Sequence, residues 1–161
     1  MGQARAGYAV YIVCVLGLVL SSYGLYVENQ MAANPDFVAL CDLGSWASCS
    51  KVFHSKYGSG LGIISSDSFL SMPNTVYGLV YYTLHMVLQH PSLFNNPSAR
   101  TLAVVLGVAS IVTSVWLAYV LYFILKDFCI LCVSTYVLNA VTLFSALSDQ
   151  RRVATAGKKK A

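Results

Sequence analysis

The chain has 161 residues, 57% hydrophobic and 10% charged, with a formal net charge of +4. Soluble domains carry about 25% charged residues, so an ordinary soluble protein is excluded and one membrane domain is expected. The positive charge gathers in Arg151, Arg152, Lys158, Lys159 and Lys160. Beside a membrane span such a tail marks a cytoplasmic end rather than a nucleic-acid site, and no nucleic-acid partner is expected.

In chain order, the first apolar run, about 8–27, is long enough to cross a bilayer. It exceeds a secretory apolar segment, and no small-x-small cleavage site follows before Glu28, so it reads as a retained span. Cys14 inside it reads as a packing residue. Residues 28–72 turn polar. They hold the turn signal Asn34-Pro35-Asp36, then Cys41 and Cys49, then Gly58-Ser59-Gly60-Leu61-Gly62. The glycine stretch cannot hold a regular helix, and it lacks the strand and Lys-Ser/Thr of a phosphate loop. So long a connection is expected to be functional. Phe37, Trp46, Val52, Phe53, Tyr57, Leu61, Ile63 and Phe69 give it apolar surface to lie on the membrane or close a pocket.

Pro73 opens a second span, about 73–90, which stops ahead of Pro91. At about 26 Å it is the shortest. Asn74 in its first turn either needs a partner or offers hydrogen bonds. Tyr77, Tyr81 and His85 share one side of this helix and read as packing residues, His85 as a satisfied interior histidine. A third span, about 101–125, carries the small residues Gly107, Ala109, Ser110 and Ser114, which let helices approach closely. Lys126 and Asp127 break the chain before a fourth span, about 128–148, and the basic tail 149–161.

The fourth span opens on Cys129-Ile-Leu-Cys132. At about 100° per helical residue the two thiols lie about 60° apart, with Tyr136 and, one turn deeper, Asn139 on the same stripe. A helix N-terminus favours a thiolate, and Lys126 adds positive charge. The pair can therefore cycle between dithiol and disulfide. A structural zinc site would need two more soft ligands at suitable spacing, and the sequence has none. Two buried packing cysteines are the plain alternative.

Four spans put both termini on one side with Arg5, Arg100 and the five tail cations, leaving Lys51, Lys56 and Lys126 opposite. Positive charge marks the cytoplasmic side. Cys41, Cys49, Cys129 and Cys132 then share the lumenal or periplasmic side, where disulfides form. Two cysteine pairs on one side predict a relay between a loop pair and a fixed pair. A purely structural Cys41–Cys49 bridge is the alternative.

These residues resemble the vitamin K epoxide reductase family along nearly the whole chain. The likeness rests on Ala39-Leu-Cys-Asp-Leu-Gly44 with Cys49-Ser50, the glycine loop, Asn74-Thr-Val-Tyr-Gly78, Leu117-Ala-Tyr-Val-Leu-Tyr-Phe123 and Asp127-Phe-Cys-Ile-Leu-Cys-Val-Ser-Thr-Tyr136. Leu43-Gly-x-Trp46 and Tyr119–Lys126 look more like the family's reductase-like paralogue. The resemblance implies an all-α four-transmembrane-helix bundle with a lumenal cap, in the endoplasmic reticulum, both termini cytoplasmic. It implies reduction of vitamin K 2,3-epoxide and quinone to the hydroquinone, no tightly bound cofactor, no metal, and inhibition by coumarin-type compounds. Cys132 would meet the substrate and Cys129 resolve it. Cys41 and Cys49 would carry electrons from lumenal thioredoxin-fold proteins. Asn74 and Tyr136 would hydrogen-bond the substrate's oxygens, and Phe53, Tyr57 and Tyr77 would line the pocket. The C-terminal lysines resemble a dilysine retrieval signal.

Two competing readings remain. The same cysteines would serve a quinone-coupled thiol oxidase that forms disulfides in lumenal proteins, the direction being set by redox poise. A non-enzymatic tetraspan subunit would use the cysteines only structurally, but transporters carry charged groups inside their spans and these spans are nearly free of them.

Overall fold

The computed structural model describes residues 2–158 apart from 35, 45, 65–67, 91, 94 and 95. The expectations placed on Pro35, Pro91 and the terminus from Lys159 lie outside the described residues. Among the described residues five α-helices form in chain order: α1 (Gly2–Ala33), α2 (Cys49–His54), α3 (Asn74–Leu88), α4 (Pro97–Tyr119) and α5 (Ile130–Lys158). Among the described residues there is no β-strand, only isolated bridges. The four longer helices close a ring: α1 packs on α3 and α5, and α4 packs on α3 and α5.

Among the described residues three segments are long and apolar enough to cross a membrane: Ala9–Ala33, Pro97–Leu125 and Ile130–Thr155. The protein is an all-α, multi-pass membrane protein. α3 has 15 residues, about 22 Å at 1.5 Å per residue, against about 30 Å of hydrocarbon. It is the shortest of the four helices that form the ring.

Local chemistry explains the helix ends. α4 starts ahead of the expected apolar span because Asn96 caps it. The Asn96 side chain accepts from the Ser98 and Ala99 N–H groups at 2.9 and 3.4 Å, and Pro97 opens the first turn. Pro73 takes the cap position of α3, so the first helical residue is Asn74. α4 ends in a π-helical turn, Val120–Leu125, stopped by Lys126 in the left-handed region at φ 50°. The expected break at Lys126 and Asp127 is thus a sharp reversal that carries residues 127–129 up to the cap.

Small residues set the helix spacing. A Cβ added at Gly17 of α1 would lie 2.4 Å from Tyr82 Cζ of α3. One added at Gly107 of α4 would lie 2.9 Å from a Leu143 methyl of α5, in keeping with the small residues expected there. Several polar groups inside the ring pair with one another. Tyr82 donates to Asn139 Oδ1 at 2.8 Å, Asn139 Nδ2 donates to Ser114 Oγ at 2.9 Å, and Tyr81 meets Thr142 at 2.7 Å. His85 is fully buried and packed on Tyr81; its Nδ1 meets Gln89 at 2.8 Å, but its buried Nε2 has no hydrogen-bond partner among the described residues, so the histidine expected to be satisfied is satisfied on one nitrogen only. Cys14 is fully buried.

The cap splits into two surfaces. Phe37, Val52 and Phe53 pack on the core that holds the sulfurs, whereas Trp46, Ile63 and Phe69 face outward.

Candidate functional site

The CxxC pair straddles the start of α5 instead of lying wholly on its face. α5 begins at Ile130, so Cys129 precedes it and serves as its cap. The Cys129 carbonyl accepts from Val133 N–H at 3.0 Å, and its Sγ accepts from Cys132 N–H at 3.3 Å. This is the arrangement of an N-cap, with sulfur in place of oxygen. Contact with the Cys132 thiol holds the Cys129 thiol below its ordinary pKa. Burial opposes this, and the Cys132 and Leu131 N–H groups support it. Cys129 is the better thiolate because it sits where the helix offers unpaired N–H groups.

The sulfurs form a continuous line. Cys41 and Cys49 are joined in a disulfide. Cys49 Sγ lies 3.8 Å from Cys129 Sγ, and Cys129 Sγ lies 2.6 Å from Cys132 Sγ. Val27, Met31, Leu121 and Leu131 surround them. Residues eighty apart in sequence therefore meet beneath the cap.

Cys132 ends this line in the wall of a cavity of about 300 Å³. Phe53, Tyr57, Asn74, Tyr77 and Tyr136 line the same cavity, with Leu20, Leu117 and Leu121 among its apolar walls. Every cavity residue named from sequence is thus gathered in one place. The volume is at the lower end of the range for small-molecule sites, and the lining has the usual mix of apolar wall and few polar groups.

The polar groups differ in how they are engaged. Asn74 accepts from Leu61 N–H at 2.8 Å through Oδ1 and donates to the Tyr57 carbonyl at 2.7 Å through Nδ2. It clamps the glycine loop as well as facing the cavity. Tyr77 donates to the Leu70 carbonyl. No hydrogen bond among the described residues engages the Tyr136 hydroxyl, so the phenol remains available to a ligand.

Several contacts had no sequence signal. Trp116 Nε1 donates to the Leu61 carbonyl at 3.1 Å, a second tie on the loop. Thr75 Oγ1 donates to Glu28 at 2.6 Å. Asp127 accepts from Ser48 N–H at 3.1 Å and pairs with Lys51 at 3.1 Å. The first two depend on helix registers, and the third on cap placement, that no local pattern encodes. Cys41, Asp42 and Cys49 bring metal-ligand atoms together. Their sulfurs are bonded to each other, and Asp42 accepts from Ser48 and Ser50, so this grouping is spoken for as a disulfide and a loop clasp.

Comparison with known proteins adds an independent line. A model of the Vitamin K epoxide reductase family matches residues 8–147. The chain is 39% identical over 131 residues to the Vitamin K epoxide reductase complex subunit 1 of Rattus norvegicus, covering 79% of this chain and 80% of that protein. It is 39% identical over 130 residues to the protein of the same name from Mus musculus, covering 78% and 79%.

Proposed function

Because the chain belongs to the vitamin K epoxide reductase family, membrane thiol–disulfide oxidoreductases, we propose that it reduces vitamin K epoxide and quinone to the hydroquinone. The observation that carries this reading is the sulfur line: it runs from the Cys41–Cys49 disulfide through Cys129 and ends at Cys132 in an apolar cavity.

Cys132 is the thiol that meets the substrate. With the epoxide, the two thiols become a disulfide and the substrate becomes quinone and water. With the quinone, the same two electrons and two thiol protons give the hydroquinone. The Cys132 thiolate adds to a ring carbon of the substrate; Cys129, as the stabilised thiolate, then attacks the Cys132 sulfur of that adduct, the S–C bond breaks with its electron pair going to the reduced product, and the disulfide closes. Tyr136 O–H and the remaining Asn74 N–H bind oxygens that gain negative charge as electrons arrive, in the manner of an oxyanion hole. Phe53, Tyr57 and Tyr77 hold the flat ring under the cap. Coumarin-type inhibitors, also flat and oxygen-bearing, compete for this cavity. The pair is recharged when the cap cysteines hand electrons to it, and lumenal thioredoxin-fold proteins reduce the cap pair in turn. This chemistry takes place on the lumenal face of the endoplasmic reticulum, with both termini cytoplasmic. No tightly bound cofactor or metal enters.

Turnover under two reductants tests the reading. Cys129→Ala or Cys132→Ala should abolish turnover even with dithiothreitol. Cys41→Ala or Cys49→Ala should keep dithiothreitol-driven turnover and lose turnover driven by reduced thioredoxin. Equal loss under both reductants would remove the relay. Comparing epoxide turnover with oxidation of a substrate protein separates the reductase from a thiol oxidase built on the same sulfurs.

A further inference from the structure

We propose that Asp127 is the positioning residue for sulfur-to-sulfur transfer between the cap and the membrane helix, a role that rests on the relay proposed above. Two short segments, 47–49 and 127–129, run side by side and are joined by a parallel bridge between Ala47 and Phe128. Asp127 lies at the head of one of them. Its Oδ1 accepts from Ser48 N–H at 3.1 Å and from Phe128 N–H at 2.8 Å, and its Oδ2 pairs with Lys51 Nζ at 3.1 Å. The carboxylate side chain is 4% exposed and the Lys51 side chain 59%, so the charge is held inside and its counter-ion reaches it from outside.

Ser48 and Phe128 are the chain neighbours of Cys49 and Cys129. One carboxylate therefore fixes both backbones one residue from each sulfur. α2, which Cys49 opens, has only six residues. A helix that short has no stability of its own, so its place is set by what it touches. Bonds to a carboxylate are charge-assisted and stronger than neutral ones. Their loss leaves the Ser48 N–H short of a partner beside the sulfurs.

The step that needs this alignment balances as follows. The Cys49 thiolate attacks Cys129 Sγ in the oxidised CxxC pair, and Cys132 leaves as a thiolate. The Cys41 thiolate then attacks Cys49, and Cys129 leaves. Two electrons move inward, and the two protons lost by the cap thiols match the two gained by Cys129 and Cys132.

The test uses the full chain carrying Cys41→Ser and Cys132→Ser, which leaves Cys49 and Cys129 facing each other. Diamide, as the two-electron oxidant, converts them to a cross-link read by mass spectrometry over time. A misplacement of 1 Å at a reacting centre can cost about 100-fold, so adding Asp127→Ala should slow the cross-link by about that factor. Asp127→Asn keeps an oxygen acceptor for the two N–H groups but loses the ion pair, and should slow it less. In the chain with all cysteines intact, the ratio of thioredoxin-driven to dithiothreitol-driven turnover should fall in the same order. Cross-linking in Asp127→Ala at the parent rate would overturn the proposal. Should that variant not fold, an Asp127→Asn rate equal to the parent's overturns it. If the parent itself forms no cross-link while Asp127 is intact, the relay fails first, and the positioning role falls with it.

Discussion

Asn74→Ala deletes both side-chain hydrogen bonds that tie the start of α3 to the glycine loop, at 2.8 Å to Leu61 and 2.7 Å to Tyr57. Each contributes about 0.5–1.5 kcal/mol net, so the closed cap should lose about 1–3 kcal/mol. At tenfold per 1.4 kcal/mol, the open fraction rises by about 5- to 150-fold. Other ties remain: Asn74 N–H to the Gly58 carbonyl at 2.9 Å, Gly60 N–H to the Met72 carbonyl at 2.8 Å and Trp116 to Leu61 at 3.1 Å. The variant should therefore fold but breathe faster over residues 58–62. Hydrogen exchange of that segment, followed by mass spectrometry, reads the opening directly, and titration with a naphthoquinone reads the affinity. Asn74→Asp keeps the acceptor for Leu61 but sets a carboxylate against the Tyr57 carbonyl, and should fall between. Unchanged exchange with weakened quinone binding would refute the clamp and leave Asn74 as a ligand contact alone. Unchanged values in both would remove Asn74 from the site.

Tyr136→Phe should weaken naphthoquinone binding by about 2- to 12-fold, the worth of one net hydrogen bond. Its melting temperature should not move, because the hydroxyl has no partner to lose; a lowered melt with unchanged affinity would mean a structural phenol. Gly17→Ala places a methyl within 2.5 Å of the Tyr82 ring and should cost about 1–3 kcal/mol by overpacking, read as a lower melt in detergent; an unaltered melt would show that α1 and α3 can part freely. Asp42 gives a pH dependence. Burial alone would raise its pKa, but hydrogen bonds from the Ser50 hydroxyl and N–H and from the Ser48 hydroxyl outweigh burial and hold it below the ordinary value. Its contribution is full above about pH 4 and fades as pH falls through the lower folded value. Proteolysis of the 39–50 loop should therefore quicken in acid, and Asp42→Asn should flatten that acid limb; an identical limb in both would assign the loss elsewhere.

The long apolar runs and the convergence of sulfurs on one rim were legible in the residues, because hydropathy and charge asymmetry are local and additive. So was the stripe of Tyr136 and Asn139, since helical spacing sets it. The start of α5 was not. Spacing alone puts Cys129 on a helical turn, but whether a residue caps or continues a helix depends on how the chain arrives. Here that is set by Lys126 at positive φ and by the segment 47–49 lying alongside. The cap at Asn96 lies in the short polar stretch between the second and third apolar spans, and only its bonds reveal it. Glu28 with Thr75 and Asp127 with Ser48 and Lys51 join distant parts of the chain, and only packing reveals them. The apolar cap residues were legible as a group but not by direction: Phe53 turns to the cavity and Phe69 is 91% exposed.

Burial along the sulfur line has one more consequence. Cys49 and Cys129 are wholly shielded, at 0%, while Cys41 keeps 8% of its surface. On the cap side an attacking thiol from water thus reaches Cys41 before Cys49 or Cys129, and the middle of the conduit is shielded. Charge enters at the aqueous lip and is discharged into the greasy chamber, and leakage in between requires the lid to lift.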